Sequence, residues 1–386
     1  LDFPIPNSNL ELVICNDAKI DVLDGNFIVG NDNDPQSPIQ YNSDVYFTSG
    51  TRIAIHSDGV LNINNNSSLS IEPGATLVIH PGAQIILNGP NAVLHIKGKI
   101  ILEIDAEFNP IAGANGFGQL IVENHTGEFQ IESKGNNKII IDPITKPTIN
   151  TQYNLIVIGE KGLHTGETYQ ISEFRINNAN VLIKDNSLIT SKAFRFNVFN
   201  SNIYGEQNLN SKGLLAFESL CNINNCRFEY LNSAFTYFLL NGIYAQQEIR
   251  NSQFIKCKTS INMNGANVKV KNCLFNWFGR YGDIGIRSLS SGGGDVFLDN
   301  TFQLPSNPFN NNISKSLQYV GKDAKIYRNI FVDGNVAIDN KDGNLFLECN
   351  NFQSWTFREL SHNAINSKNG ALYLNTGRNL FAHYKT

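Results

Sequence analysis

One short unit recurs through the C-terminal half of the chain and constrains the fold more than any other feature. It consists of two or three alternating apolar residues, then Asn, then Phe two or three positions later. The fullest copy is Val268-Lys269-Val270-Lys271-Asn272-Cys273-Leu274-Phe275. Others are Asn225-Cys226-Arg227-Phe228, Asn251-Ser252-Gln253-Phe254, Asp299-Asn300-Thr301-Phe302, Arg328-Asn329-Ile330-Phe331, Cys349-Asn350-Asn351-Phe352 and Arg378-Asn379-Leu380-Phe381. Two upstream copies, Asn178-Ala179-Asn180-Val181 and Asn200-Ser201-Asn202-Ile203, keep the Asn and replace Phe with an aliphatic residue. Between residues 181 and 381 the anchors lie 21 to 29 residues apart. Helical repeats hold a stricter period, and the Asn and Gly density opposes long helices. Period-2 alternation before each Asn predicts a strand. Asn then marks a corner, because it tolerates left-handed φ/ψ, and Phe turns back into the core.

The N-terminal third carries a tighter version. Glu72-Pro73-Gly74-Ala75-Thr76-Leu77-Val78-Ile79 is followed at once by His80-Pro81-Gly82-Ala83-Gln84-Ile85-Ile86-Leu87. Pro sets φ at the first turn position and Gly takes φ > 0 at the next, as a type II turn requires. Ile53, Ile55, Leu61, Ile63, Leu69 and Ile71 alternate upstream, and Leu94, Ile96, Ile100, Leu102 and Ile104 downstream. Between about 105 and 165 the pattern loosens, which reads as a change of rung style within one solenoid or as a domain boundary near 160. The predicted fold is all-β, a parallel coil in which each strand pairs with its equivalent one rung away, at a spacing of about 4.8 Å. At about 25 residues per rung the chain makes about 15 rungs. The organisation expected is an N-terminal cap with first strands over 1–50, short-repeat rungs over 51–160 and Asn-corner rungs over 161–386.

These rungs resemble those of right-handed parallel β-helix proteins, well over about 170–386 and moderately over about 50–105. The Pro-Gly-Ala tandem looks like rungs common in large secreted bacterial surface proteins of that superfamily. The Asn-rich style, with 56 Asn in 386 residues, is similar to proteins that Bacteroidota export through the type IX route. No recognisable C-terminal sorting domain accompanies it. The resemblance implies an extracellular or cell-surface protein with a structural, adhesive or partner-binding role. The alternatives are a polysaccharide lyase or glycoside hydrolase working in a groove along the coil, and a carbohydrate-binding module of a larger exported protein. The partner expected is a polysaccharide or a protein of the cell surface or secretion machinery.

Members that cleave polysaccharides use calcium-binding carboxylates with an Arg or Lys base, or paired carboxylates. This sequence has no Asn-Thr-Asp, adjacent Asp-Asp, Gly-His-Gly or Trp-x-Asp-His. The best candidate is the excursion over 276–299. There Trp277 and Tyr281 are suited to stacking on sugars, and Arg280 or Arg287 to neutralising a uronate carboxylate. Asp283, Asp295 and Asp299 are suited to calcium binding or acid/base work. If the protein is an enzyme, Asp283, Asp295 and Arg287 are the catalytic candidates. Trp355 and Arg358, just past another Phe anchor, complete a candidate ligand-binding set with Trp277, Arg280 and Tyr281. The plainer reading makes both Trp residues cover for the side of the coil.

The remaining signals are mostly exclusions. Thirty Lys+Arg against 34 Asp+Glu give a net charge of −4, and no basic run is dense enough to track nucleic-acid phosphates. No apolar stretch approaches the length of a membrane span. The chain opens Leu1-Asp2-Phe3-Pro4, which reads as a mature N-terminus after signal-peptide removal or as an interior segment. The seven His lack metal-ligand spacing, and Asn31-Asp32-Asn33-Asp34 lacks the remainder of a calcium loop. No resident cofactor is expected, though the sequence admits calcium. Six Cys at 15, 221, 226, 257, 273 and 349 admit buried core thiols, a disulfide (Cys221 with Cys226, or Cys257 with Cys273) or a metal. The shared repeat slot of Cys226 and Cys273 favours the first.

Overall fold

The computed structural model describes residues 10–15, 17–30, 43–103, 106–114, 116, 118–122, 128–133, 137–141, 148–151, 154–157, 171–183, 188–191, 195–238, 247–265, 267–276, 284–289, 294–304, 314–353, 363–375 and 378–382. Among these residues there is no helix: short strands stack in parallel as a β-solenoid. The chain forms two compact units, Leu1–Phe194 and Arg195–Thr386.

In the first unit β1 (Leu10–Ile14), β3 (Ser43–Phe47), β5 (Ser68–Ile71) and β8 (Val93–Ile96) form one sheet column. Like residues superpose in it: Leu12, Val45, Leu69 and Leu94 in one file, Ile14, Phe47, Ile71 and Ile96 in the next. A second sheet carries β2 (Lys19–Val29), β4 (Arg52–Asn64), β6 (Thr76–Ile79), β7 (Gln84–Asn88) and β9 (Lys99–Leu102). The Pro-Gly tandem does not stack upon itself. β6 pairs with Arg52–Ile55 and β7 with Val60–Asn64, so its two copies are successive sides of one turn. Gly74 and Gly82 take φ of 84° and 83° at the intervening corners, as the Pro-Gly turns require. Within the 1–50 segment, β1 and β2 are themselves a rung, paired with β3 and β4.

In the second unit the anchor positions form a single file. Ile203, Phe228, Phe254, Phe275, Phe302, Phe331, Phe352 and Phe381 are in register. From Phe228 onward neighbouring ring centroids lie 4.6–5.0 Å apart, within 7° of parallel. That separation is the strand spacing itself. Opposite this file runs a column of small buried residues, Ser260, Gly285, Ser316 and Ala337. A Cβ on Gly285 would lie 3.0 Å from the Phe302 ring and 2.5 Å from Ser316 O. Bulk is therefore spent on one side of the coil and withheld on the other.

The corner three residues before each anchor from Ile203 to Phe352 is left-handed, with φ of 49–57° at Asn200, Asn225, Asn251, Asn272, Asp299, Arg328 and Cys349. Asn supplies the first four of these corners. In the last three the Asn stands one residue later, pointing inward. Asn300, Asn329 and Asn350 are buried and form an internal amide ladder. The Asn300 backbone N–H donates to Asn329 Oδ1 at 2.9 Å, that of Asn329 to Asn350 Oδ1 at 3.0 Å, and that of Asn350 to Asn379 Oδ1 at 3.0 Å. Their Nδ2 groups donate to Val270, Phe297 and Ile326 carbonyls. Each amide thus satisfies the corner backbone that a sheet ladder cannot reach. The same slot holds Cys226, Ser252 and Cys273 in earlier rungs. Asn272, at its left-handed corner, is on the outside, where its Nδ2 donates to Asn251 Oδ1 at 2.9 Å.

All six cysteines are free, four of them buried. Burial pushes the Cys273 thiol up to about 12, so it acts as a packing atom. The turns number about nine against an expectation of about fifteen, while the sheet that begins with β1 holds fifteen strands.

Phe302→Ala should cost about 3–5 kcal/mol through the cavity it leaves. Asn329→Ala should cost about 1–3 kcal/mol by orphaning buried backbone groups. Asn272→Ala should cost less than either, and thermal melts of the three variants give the order. Cys349→Asn relieves a left-handed corner and should raise stability by up to about 1 kcal/mol.

Candidate functional site

Two of the expected catalytic residues lie in described strands. Asp295 opens the strand Asp295–Leu298 and has no solvent exposure. Its Oδ1 accepts from the Val268 backbone N–H at 2.9 Å and its Oδ2 from the Ser288 hydroxyl at 2.8 Å. Gln247 does the same for the Cys221 N–H elsewhere in this sheet. A neutral amide filling the equivalent post identifies Asp295 as a rung-to-rung connector. Asp299 takes a two-pronged bond from Arg328, at 2.7 and 2.9 Å, and the guanidinium holds its carboxyl below the usual range. Arg287 is exposed on the outer face of the strand Ile284–Leu289. Trp277, Arg280, Tyr281, Asp283, Trp355 and Arg358, together with the Asn31–Asp34 run, lie outside the described residues.

Arg287 belongs to a polar file that the sequence reading missed. Asn262, Arg287, Gln318, Asp339 and Asn366 are in register on successive strands. The file faces outward, because the alternate residues Leu317, Tyr319 and Ile338 fill the core. The stretch containing Trp277 and Tyr281 leads in sequence into the Arg287 strand, and that containing Trp355 leads into the strand Asn363–Ser367, which carries Asn366.

Fourth in this file of five, Asp339 is buried, with its side chain 1% exposed. Lys315 Nζ lies 2.6 Å from Oδ2 and Lys341 Nζ 3.1 Å from Oδ1, while Asn366 Nδ2 donates to Oδ1 at 3.0 Å. Burial opposes charge on Asp339, but the two ammonium groups outweigh it and hold the carboxyl below its ordinary value. One carboxylate fixes two lysines, and an exposed arginine stands two rungs away in the same file, so these four residues carry a surplus of positive charge on a chain of net charge −4. Amides at 262, 318 and 366 add neutral donors and acceptors. Such a surface suits a ligand bearing both hydroxyl and anionic groups. Its sequence signal was faint: one Asp inside the apolar run Val336-Ala337-Ile338-Asp339, and lysines 26 residues apart.

A second polar cluster lies on the outer face of the first unit. The His56 and His80 rings stack at 4.1 Å, and Asp21 Oδ1 accepts from Arg52 at 2.9 Å with His56 Nε2 3.4 Å away. Burial, followed by the neighbouring His56, pushes the His80 imidazole below its ordinary value. Among the described residues no group of three His, Cys, Asp or Glu is placed to hold a metal ion, and no helix is long and apolar enough to cross a membrane. No family model matches the chain, and no curated protein matches it either.

Asp339→Asn should lower stability near neutral pH by about 2–4 kcal/mol, because two ammonium groups lose their buried counter-charge. A carboxyl held below its ordinary value of 3.8 stabilises the fold above that pH and loses this contribution as pH falls through the folded value. Wild type and variant should therefore converge in strongly acidic solution. His80, lowered from 6.5, has the same sign in a higher window. Melting temperature should fall as pH drops below about 6.5, and His80→Phe should flatten that step.

Proposed function

We propose that this is a secreted or cell-surface protein of the right-handed β-helix kind, whose work is to bind a partner or glycan rather than to turn one over. The observation that carries this reading is the employment of Asp295 and Asp299, each committed to joining rungs, beside an outward file of cations and amides. A catalytic carboxylate must be free to exchange protons with substrate; a carboxylate that caps a backbone N–H in the core is not. The cations of the Arg287–Asp339 file supply an attractive surface without an acid/base pair.

The second reading, a polysaccharide lyase or hydrolase, is favoured by one feature alone. Arg287, Lys315 and Lys341 resemble the cationic half of a lyase site, where a base and a uronate-neutralising cation stand together. A carbohydrate-binding module of a larger exported protein would use the same surface.

The test is a screen of the purified chain on polygalacturonate, alginate, chondroitin sulfate and xylan. Ultraviolet absorbance reads unsaturated product, reducing ends read hydrolysis, and retention on the immobilised polymers reads binding. The expected result is retention without turnover on the acidic polymers, weakened by salt and by the double change Arg287→Ala with Lys315→Ala. Turnover of any of the four would overturn the reading.

A further inference from the structure

The second unit has another outward face, built as regularly as the one that carries Arg287. Gln247–Arg250, Val268–Lys271 and Asp295–Leu298 stack in register, followed by the later halves of Lys315–Tyr327 and Val336–Glu348. Those two long strands reach it from the Arg287 face through a register shift between Tyr319 and Asp323, so the two faces are adjoining walls of one coil. Val270, Phe297, Ile326 and Leu347 fill the core behind the second wall, and the residues alternating with them point outward. Two outward files matter most: Lys269, Val296 and Lys325 in one, Lys271, Leu298 and Tyr327 in the next.

Charge on this wall is unbalanced. Glu248 is shared by two cations, with Arg250 Nη1 at 3.5 Å and Lys269 Nζ at 3.6 Å. Asp299 is engaged by Arg328 and Glu348 by Arg378, while Asp323 accepts from Asn344 and adjoins Lys322 in the chain. Asp295 faces the core. Among the described residues Lys271 and Lys325 enter no ion pair; Asp299, the carboxylate that feels Lys271, is already held by Arg328. The Glu248 group therefore leaves one positive charge over, and Lys271 and Lys325 add one each, on a chain of net charge −4. Between these cations lies an apolar step: Val296 and Leu298, both half-buried, occupy the rung that separates Lys269 and Lys271 from Lys325. The cations thus stand two rungs apart along the axis, about 10 Å at the strand spacing.

We infer that this wall is a second binding site for an acidic polysaccharide laid along the coil axis. Its anionic groups sit on Lys269 and Lys271 at one rung and on Lys325 two rungs on, with the apolar face of a sugar ring against Val296 and Leu298. The class of ligand rests on the glycan-binding reading of this protein; the site itself does not, and it shares no residue with the Arg287–Asp339 file. Lysines on long stems meet carboxylate or sulfate as mobile point charges. Cations separated by an apolar rung match a chain whose charges alternate with apolar ring faces. Double-stranded nucleic acid carries a charge about every 1.7 Å of its axis and would leave most of that charge unmatched on so sparse a wall. An acidic peptide supplies the charge without the ring faces.

Calorimetric titration of the full chain with a chondroitin sulfate octasaccharide, at about 0.1 M salt, counts the sites. The expected result is two sites per chain for wild type and one for Lys271→Ala with Lys325→Ala. One is also expected for Arg287→Ala with Lys315→Ala. Each variant should keep the wild-type circular dichroism spectrum. The change Lys271→Arg with Lys325→Arg, which preserves the charge, should keep both sites. Affinity at this wall should fall at least about tenfold in about 1 M salt, where the screening length is only ~3 Å. A single wild-type site that survives Lys271→Ala with Lys325→Ala and is lost with Arg287→Ala and Lys315→Ala would overturn this inference and leave the proposed function standing. The reverse pattern would uphold this wall and remove the Arg287 face from that function. Absence of any site in wild type would overturn both, and polyglutamate competing as well as the octasaccharide would overturn the choice of a glycan for this wall.

Discussion

Register between successive turns is the constraint on which everything else depends. A parallel ladder with no slip places each residue directly over its counterpart one turn earlier, so any preference at one position is multiplied along the axis. Phe stacks on Phe because the ring thickness and offset suit the strand spacing. Asn stacks on Asn because an amide can both donate and accept, and so hands the corner hydrogen bond from rung to rung. A slip of one residue would expose every inner file at once. The corners prevent it, since only selected positions adopt the left-handed backbone without strain.

The corner positions show how local and global demands are reconciled. Where Asn takes the left-handed corner, the inner slot behind it is small: Ser201, Cys226, Ser252 or Cys273. Where Asp299, Arg328 or Cys349 takes the corner, the inner slot becomes Asn and gains a buried hydrogen-bond network. The strain of a less tolerant corner residue, roughly 1–2 kcal/mol, coincides with the added amide bonds. Arg328 offsets part of it a second way, by pairing with Asp299 of the preceding corner.

Much of this was legible in the amino acids. The Phe file, the corner role of Asn225, Asn251 and Asn272, and the shared slot of Cys226 and Cys273 follow from periodicity and residue size alone. What was not legible depended on which neighbour a residue meets in space. The repeat motif does not distinguish an Asn that turns the chain from an Asn that points inward one residue later, so Asn272 and Asn329 were read alike. The Pro-Gly tandem looks like two stacked rungs, yet eight residues are too few to complete a turn, and its copies became adjacent sides. Asp339 was overlooked because Lys341, two positions on, reads as an ordinary local pair, while Lys315 arrives from the preceding rung, 24 positions earlier. Asp295 was read as reactive for the converse reason: the Gln247 that reveals its structural post is 48 positions away.

The thiols sealed within the coil have a consequence for where such a molecule can operate. Cys221, Cys226, Cys257 and Cys273 contribute volume and weak sulfhydryl bonds to carbonyls, and none is joined to another. Oxidants and reductants reach only Cys15 and Cys349 on the surface. The four buried thiols are thus shielded from the redox poise around the coil, and passing from a reducing compartment to an oxidising one would neither add a crosslink to its core nor remove one.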